Sequence, residues 1–267
     1  MASNLSTIGF VFDSEDEFRA AMVRHAAEIV AQAECPAGSL GLWRSRAGAE
    51  IWFHLSAPGN GETEIYGLTP FFDGQSDIPL MITGPVPRGG DSPFEGAYKG
   101  WVNPDANGEG VYPLVFDAVD YVMHGAATWP AVKRVRLAGF AREVSAFADE
   151  AAYTAARASD NPDIPKLAPK AFIPIGLFAA AQAADDDATA EPKPPSSAAL
   201  LTGRIAEHRT FTNEATGRAF EWLLVESLDA TFDVLADPAT VKGELAVGGT
   251  VEAAVWFFGR FLDEVPT

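Results

Sequence analysis

The strongest periodic signal in the chain is a helical spacing of apolar residues near the N-terminus. Four apolar residues recur at this spacing between charged side chains: Phe18, Met22, Ile29 and Ala33. Ser14 and Glu17 form a capping-box pattern, in which the hydroxyl accepts from a backbone amide and the glutamate reaches back. Pro36 marks the end, because a residue that precedes proline is disfavoured in the helical conformation. The pattern therefore predicts one long helix over residues 14–34.

Alternation of apolar and polar residues after this helix indicates strands. Residues 40–45 and 50–56 flank a turn that Gly48 can form, so they predict a hairpin. Clusters of glycine, proline, aspartate and asparagine separate the runs that follow. Further strands are predicted at residues 62–69, 78–83, 95–102, 111–117 and 132–147, and a shorter helix at 149–158.

A candidate linker divides the chain. Residues 183–197 combine an acidic run, three prolines and small polar residues, with nothing to bury. They separate a β-rich N-terminal region of residues 1–182, which forms one domain or two, from a C-terminal segment of residues 198–267.

A short sequence similarity, which we call the Thr-Gly echo, relates a segment before the candidate linker to a segment after it. Residues 80–86 and residues 200–205 both run from apolar positions into Thr-Gly and then to a β-branched residue. Two related barrels would explain the echo. Coincidence between strand-and-turn patterns is the simpler explanation.

The C-terminal segment has the clearest strand pattern, with strands predicted at 198–211, 218–227, 231–236 and 250–262. Gly203, Arg204 and Ile205 lie in the first strand, while Gly248 and Gly249 lead into the last. The order of strands, glycines and a short helical turn resembles an OB-like barrel. The chain as a whole resembles bacterial proteins that have no assigned role. The expected fold is α+β and β-rich, with antiparallel sheets or barrels, one long N-terminal helix and an OB-like C-terminal barrel.

Charge narrows the functional classes. The chain holds 19 Lys and Arg against 37 Asp and Glu, for a net charge of −18. Such a surface repels a polyanion, so nucleic acid is not an expected partner. The N-terminus lacks the pattern of a signal or transit peptide, and no stretch approaches the roughly 20 apolar residues that span a bilayer. A cytoplasmic protein without membrane contact is expected.

The sequence offers weak candidates for catalysis. Asp117, Asp120 and His124 are spaced so that a helix would place all three on one face, which suits a divalent metal or a carboxylate-oriented histidine. Alternatively, Asp117 follows a strand and caps the turn after it.

Candidate metal ligands lie in the preceding loop. Asp105, Asn107 and Glu109 alternate as in the first half of a calcium loop. However, the twelfth position of that loop is Phe116 rather than glutamate, so a polar hairpin tip is the favoured interpretation. No cofactor is predicted.

Candidate binding residues are aromatic or basic. Trp222 and Trp256 of the C-terminal strands can line a barrel core or a docking face. Lys133, Arg134 and Arg136 form a dense basic cluster, which can grip a phosphate or a partner's carboxylate. The favoured alternative is that they balance neighbouring carboxylates on the outer face of a sheet.

These observations favour a non-catalytic protein that binds through β-sheet surfaces, with a protein partner or a second copy of itself. The alternative is a small-molecule enzyme, hydrolytic and metal-assisted, whose site is assembled from separate loops. The chain contains none of the local motifs that announce an enzyme, such as a nucleophile elbow or a phosphate-binding loop.

Overall fold

Strands dominate the fold, which the structure, a computed structural model, describes for residues 3–56, 63–88, 92–158, 167–186 and 194–262. The helices of these residues are α1 (Glu15–Ala26), α2 (Glu150–Ala158) and α3 (Ile175–Asp186). The strands are β1 (Ala31–Cys35), β2 (Gly38–Arg44), β3 (Ala49–Ser56), β4 (Ile65–Phe72), β5 (Ile78–Pro87), β6 (Gly96–Val102), β7 (Pro113–Ala118), β8 (Ala131–Phe147), β9 (Ala171–Ile173), β10 (Ala198–Asn213), β11 (Arg218–Ser227), β12 (Ala230–Ala236), β13 (Val241–Lys242) and β14 (Thr250–Phe261). The prediction of a β-rich α+β protein is confirmed.

Helix α1 begins where predicted and ends earlier. Ser14 Oγ accepts a hydrogen bond from the Glu17 amide at 3.2 Å, and the Glu17 carboxylate accepts from the Asp13 amide at 3.0 Å. The helix ends at Ala26, so the predicted helix over 14–34 is wrong beyond that residue. Residues 31–35 instead form β1, because they pair with β2 and alternate between half-buried and exposed at the period of a strand.

Strands β1 to β4 form an antiparallel sheet in that order. The predicted hairpin joins β2 and β3, and Gly48 in its turn has a φ of 89°, which glycine adopts without steric cost. This sheet packs against the second sheet through one buried apolar cluster. The cluster includes Ile51, Phe71 and Phe72 of the first sheet and Phe140, Trp222 and Phe258 of the second.

The second sheet closes on itself twice. One ring runs β5–β6–β7–β14–β8 and back to β5, and the other runs β10–β11–β12–β8–β14 and back to β10. Each ring contains one parallel pair, β7 with β14 in the first and β12 with β8 in the second. We call them the first ring and the second ring.

The long strands β8 and β14 belong to both rings and pair with each other in antiparallel register. A glycine of each long strand lies in a parallel pair: Gly259 is opposite Ala118, and Gly139 is opposite Val234. A glycine within a strand often marks a bend, yet Gly259 serves close packing, because a Cβ added there would overlap the Phe116 ring.

Backbone pairing also crosses the candidate linker. Strand β8, which precedes residues 183–197, is hydrogen-bonded to β12 and β14, which follow them. Within the linker, α3 extends to Asp186 and residues 194–197 lead into β10, while residues 187–193 lie outside the described part of the chain. Among the described helices, none has the length and apolar character needed to cross a membrane.

Candidate functional site

A cavity of about 460 Å³ lies where the four-stranded sheet meets the first ring. Strand β4 forms one wall, and β7 and β14 form another, while the segments just before β6 and β10 and just after β5 close the sides. Its lining residues are Asn4, Leu68, Thr69, Pro70, Arg88, Glu95, Gly96, Asp117, Ala118, Pro194, Trp256 and Phe258. A cleft between packed layers is a common place for a small ligand.

Asp117 is the centre of the polar network in this cavity. Its Oδ1 accepts from Arg88 Nε at 2.7 Å and from Ser197 Oγ at 3.2 Å, and its Oδ2 accepts from Trp256 Nε1 at 2.5 Å. Arg88 also donates to the carbonyl of Pro195 and to Ser197 Oγ. The network therefore holds β7, β14 and the segment before β10 in one arrangement, with Asp117 and Arg88 only about one-fifth exposed.

Other polar atoms of the cavity are hydrogen-bond acceptors. Asn4 Oδ1 is buried and has no hydrogen-bond partner in the described residues, and Glu95 is exposed at the rim. Thr69 Oγ1 is 3.2 Å from His54 Nε2, and the His54 ring stacks on Phe94 with centroids 4.9 Å apart. Burial lowers the pKa of His54 to about 4, so this ring is neutral and fixed behind the cavity wall.

The three catalytic candidates have different partners. Asp117 contacts Arg88, Ser197 and Trp256, whereas Asp120 Oδ2 lies 3.1 Å from His124 Nε2. The Asp120 and His124 side chains are each 2% exposed, and Asp120 Oδ2 also accepts from the Phe261 amide at 3.3 Å. The Asp120–His124 pair is thus packed against the end of β14 rather than presented to solvent.

The candidate metal loop is held by its own amides. Asp105 Oδ1 accepts from the backbone amides of Asn107 at 2.8 Å and Glu109 at 2.9 Å. These backbone hydrogen bonds, from Glu109 and then Asn107, lower the pKa of the Asp105 carboxyl. Across the described residues, no group of three or more His, Cys, Asp or Glu side chains is placed to hold a metal ion.

The basic cluster faces carboxylates of the loop between β4 and β5. Arg134 Nε donates to Asp77 Oδ1 at 2.9 Å, and Arg136 pairs with Asp73 and donates to the Ser76 carbonyl. Lys133 directly precedes Arg134, so the alternation of the strand places it on the opposite face from both arginines.

The two candidate tryptophans have different surroundings. Trp222 is 2% exposed, and its Nε1 donates to Asp233 Oδ1 at 2.7 Å. Trp256 is half-buried and lines the cavity beside Asp117. The structure therefore brings one candidate for catalysis and one for binding, Asp117 and Trp256, into direct contact.

Sequence reasoning missed Arg88, Asn4, Thr69 and Glu95. Arg88 stands in a cluster of turn-forming residues, and its partner Asp117 is 29 positions away, so no local pattern links them. The one available signal was the presence of Arg88, a basic side chain, among turn-forming residues of a strongly acidic chain. Comparisons with protein-family models, with curated proteins and with solved structures find no match to this chain.

Proposed function

We propose that the protein is a non-catalytic binding protein that holds a small amine-bearing ligand in the cavity beside Asp117 and Trp256. The observation that carries this proposal is the fixed hydrogen-bond network of Asp117. A preformed cavity with a few oriented polar groups and an aromatic wall is what small-ligand recognition requires.

Binding accounts for this network better than catalysis does. Asp117 Oδ1 is occupied by hydrogen bonds from Arg88 and Ser197, which fix the orientation of the carboxylate. Oδ2, which accepts only from Trp256 among the described residues, keeps a lone pair for a ligand donor. The alternative, a metal-assisted hydrolase using Asp117, Asp120 and His124, lacks this support, because the Asp120–His124 pair is buried against β14.

The ligand class follows from the balance of donors and acceptors. Within the described part of the chain, acceptor atoms dominate the cavity: Asn4 Oδ1 has no partner there, Glu95 is exposed, and Asp117 Oδ2 has spare capacity. The one cationic group among the described lining residues, Arg88, is already engaged. The net charge of −18 draws cations towards the surface, and the Trp256 ring can hold an ammonium group by a cation–π contact.

Isothermal titration calorimetry with spermidine as the probe tests this proposal. Glu95→Gln and Trp256→Leu each remove one recognition element, a negative charge and an aromatic ring, and we expect each to weaken spermidine binding about tenfold. Glu244→Gln is the matched control, because it removes an exposed negative charge away from the cavity. A wild-type protein without saturable spermidine binding would contradict the proposal, as would equal losses in Glu95→Gln and Glu244→Gln.

We also infer that each closed ring is an OB-like barrel. In support, each ring has five strands, mostly antiparallel, as small Greek-key barrels do. The Thr-Gly echo lies on β5 and β10, the strands that open the two rings, which favours a duplicated unit. A fragment of residues 198–267 lacks β8, so we expect it to give the poorly dispersed amide NMR spectrum of an unfolded chain. A well-dispersed spectrum would contradict the shared-strand barrel.

Association with a second copy is another candidate function, favoured by an exposed apolar row. Trp101, Met81 and Val132 are direct cross-strand neighbours on β6, β5 and β8, and Trp101 and Val132 are 37% and 54% exposed. Lys99 lies on the same face of β6 as Trp101, and Glu109 lies in the loop whose Gly108 and Gly110 approach Met81 and Trp101. These two residues supply both signs of charge, which suits a two-fold contact between identical surfaces.

Sedimentation velocity tests this association. We expect the wild type to sediment as a dimer and Trp101→Ser to shift it towards monomer. Phe178→Ser is the control, because Phe178 is 62% exposed on α3 and lies outside the row. A monomeric wild type would exclude a self-association role for this surface.

A further inference from the structure

A second cleft, of about 420 Å³, lies where the β2–β3 hairpin meets β10 and β11. Three arginines line it: Arg44, Arg46 and Arg209. We call it the arginine cleft. Its composition is opposite to that of the cavity beside Asp117, because donors rather than acceptors dominate its polar surface.

Guanidinium groups outnumber carboxylates among the residues that line this cleft, which are three arginines and one aspartate, Asp73. Arg44 contacts Glu50 at 2.6 Å and Asp73 at 3.3 Å, and Asp73 also pairs with Arg136 and Arg260. Beneath the lining, Asp233 accepts hydrogen bonds from the Trp222 indole and the Gln75 amide. Glu207 pairs with Arg209, and Glu214 accepts from the Arg46 amide. The lining therefore carries an excess of positive charge, which attracts anions to the cleft although the chain as a whole has a net charge of −18.

Several of these donors are not committed to the protein. Arg46 is exposed, and within the described residues its guanidinium has no hydrogen bond or ion pair, although its backbone amide donates to Glu214 at 2.6 Å. Arg209 is 62% exposed and 3.6 Å from Glu207, which is too long for a hydrogen bond. Beneath them, Arg260 Nε is buried without a hydrogen-bond partner in the described residues.

Aromatic rings form an apolar wall of the cleft. Phe72, Phe211 and Trp222 pack together with ring centroids 6.1 to 6.4 Å apart. The Arg209 guanidinium lies 5.8 Å from the centroid of the Trp222 ring. The indole of Trp222 is fixed by its hydrogen bond to Asp233, so this wall is preformed.

We propose that the arginine cleft binds a phosphate group carried by a small molecule with a flat ring. Arginine presents a planar fork of donors that matches phosphate oxygens two at a time. Arg46 and Arg209 supply guanidinium groups that donate no hydrogen bond within the described residues, and half-buried Phe211 offers an apolar surface for the ring. The proposal is independent of the amine site, because the two cavities share no lining residue.

Isothermal titration calorimetry with two probes, adenosine monophosphate and inorganic phosphate, tests the proposal on the full chain. We expect saturable binding of adenosine monophosphate and weaker binding of inorganic phosphate, which lacks the ring. Arg46→Gln and Arg209→Gln should each weaken both about tenfold, the effect of losing a charge-assisted hydrogen bond. Both side chains are exposed, so circular dichroism should show unchanged folding in both variants.

Arg19→Gln is the matched control, since Arg19 is exposed on α1 and its loss changes the net charge equally. We expect its affinity for both probes to stay at the wild-type value. Absence of saturable binding, or an equal loss in Arg19→Gln, would overturn the proposal. Equal affinities for phosphate and adenosine monophosphate would overturn the flat-ring part of it.

Discussion

Asp117 and Asp233 occupy matching places in the two rings. Asp117 lies opposite Phe258 in the parallel pair of β7 and β14, and Asp233 lies opposite Ala138 in the parallel pair of β12 and β8. Ala138 and Phe258 are themselves opposite each other where the two long strands cross. The two carboxylates are thus related by an approximate two-fold arrangement of the strands.

The two aspartates share their position in the rings but differ in their surroundings. Each aspartate accepts a hydrogen bond from an indole, Asp117 from Trp256 and Asp233 from Trp222. Asp233 is fully buried and also accepts from two backbone amides of the loop before β5. Asp117 keeps one-fifth of its side chain exposed and faces a cavity. We therefore expect Asp233 to contribute mainly to the stability of the fold and Asp117 to contribute mainly to ligand binding.

Replacing Asp233 with alanine should destabilise the fold strongly. The change leaves the amides of Gln75 and Ser76 and the indole of Trp222 without their acceptor in a buried place. Unsatisfied buried donors cost about 1–3 kcal/mol each, so we expect a loss of about 3–5 kcal/mol in the free energy of unfolding. Urea denaturation followed by circular dichroism measures it.

Asp117→Ala is the matched comparison for that variant. Water from the cavity can solvate the donors that it leaves behind, so we expect a smaller loss, about 1–2 kcal/mol. An Asp117→Ala variant that is less stable than Asp233→Ala would show that the two sites do not differ as proposed.

Adding one methyl group at Gly259 should disturb the first ring. A Cβ at this residue would overlap the Phe116 ring within a close-packed core, and overpacking of this kind costs about 1–3 kcal/mol. Gly125→Ala is the control, because no atom lies within 4 Å of a Cβ built there and its φ is −60°. Thermal unfolding should show a lower Tm for Gly259→Ala and little change for Gly125→Ala.

Acid should destabilise the protein through His54. Burial lowers the pKa of His54 from 6.5 to about 4, so the unfolded chain takes up a proton first as the pH falls. The contribution of the neutral ring is fully present above pH 6.5 and is lost between pH 6.5 and about 4. We expect it to amount to about 3 kcal/mol at most.

His54→Asn isolates that contribution, because asparagine does not titrate. Urea denaturation of both proteins at several pH values should show a steeper loss of stability in the wild type within this window. Parallel pH profiles for the two proteins would exclude His54 as the cause.

Ser14→Ala should remove the cap of α1. The Ser14 hydroxyl accepts from the Glu17 amide at 3.2 Å, and loss of such a cap costs about 1 kcal/mol. Ser145→Ala is the control, because the Ser145 hydroxyl makes no hydrogen bond within the described residues. Chemical denaturation should give a lower midpoint for Ser14→Ala than for Ser145→Ala.

Local patterns predicted most of the strands, since alternation and turn residues are read within ten positions. The strand predicted at 218–227 coincides with β11, and the helix predicted at 149–158 differs from α2 by one residue. The second half of the predicted N-terminal helix failed because the alanines of residues 31–35 have a high helix propensity, which the pairing of these residues with β2 overrides.

The ring closures and the site were beyond local patterns for the same reason. Sequence pointed to Asp117 and Trp256 separately, yet their contact joins residues 139 positions apart. The arginine cleft likewise draws Arg46 and Arg209 from opposite ends of the chain. Spacing along the chain predicts which side chains share an element, whereas such contacts depend on which strands meet.

The sharing of β14 has a consequence for synthesis of the protein. Both rings need this strand, and it is the last one in the chain order of the described residues. Neither ring can close while the residues of β14 are still inside the ribosome. Until then, strands among β5 to β12 have edges without a hydrogen-bonding partner. Such edges invite pairing with other nascent chains. We therefore expect the growing chain to depend on chaperones until β14 has left the ribosome.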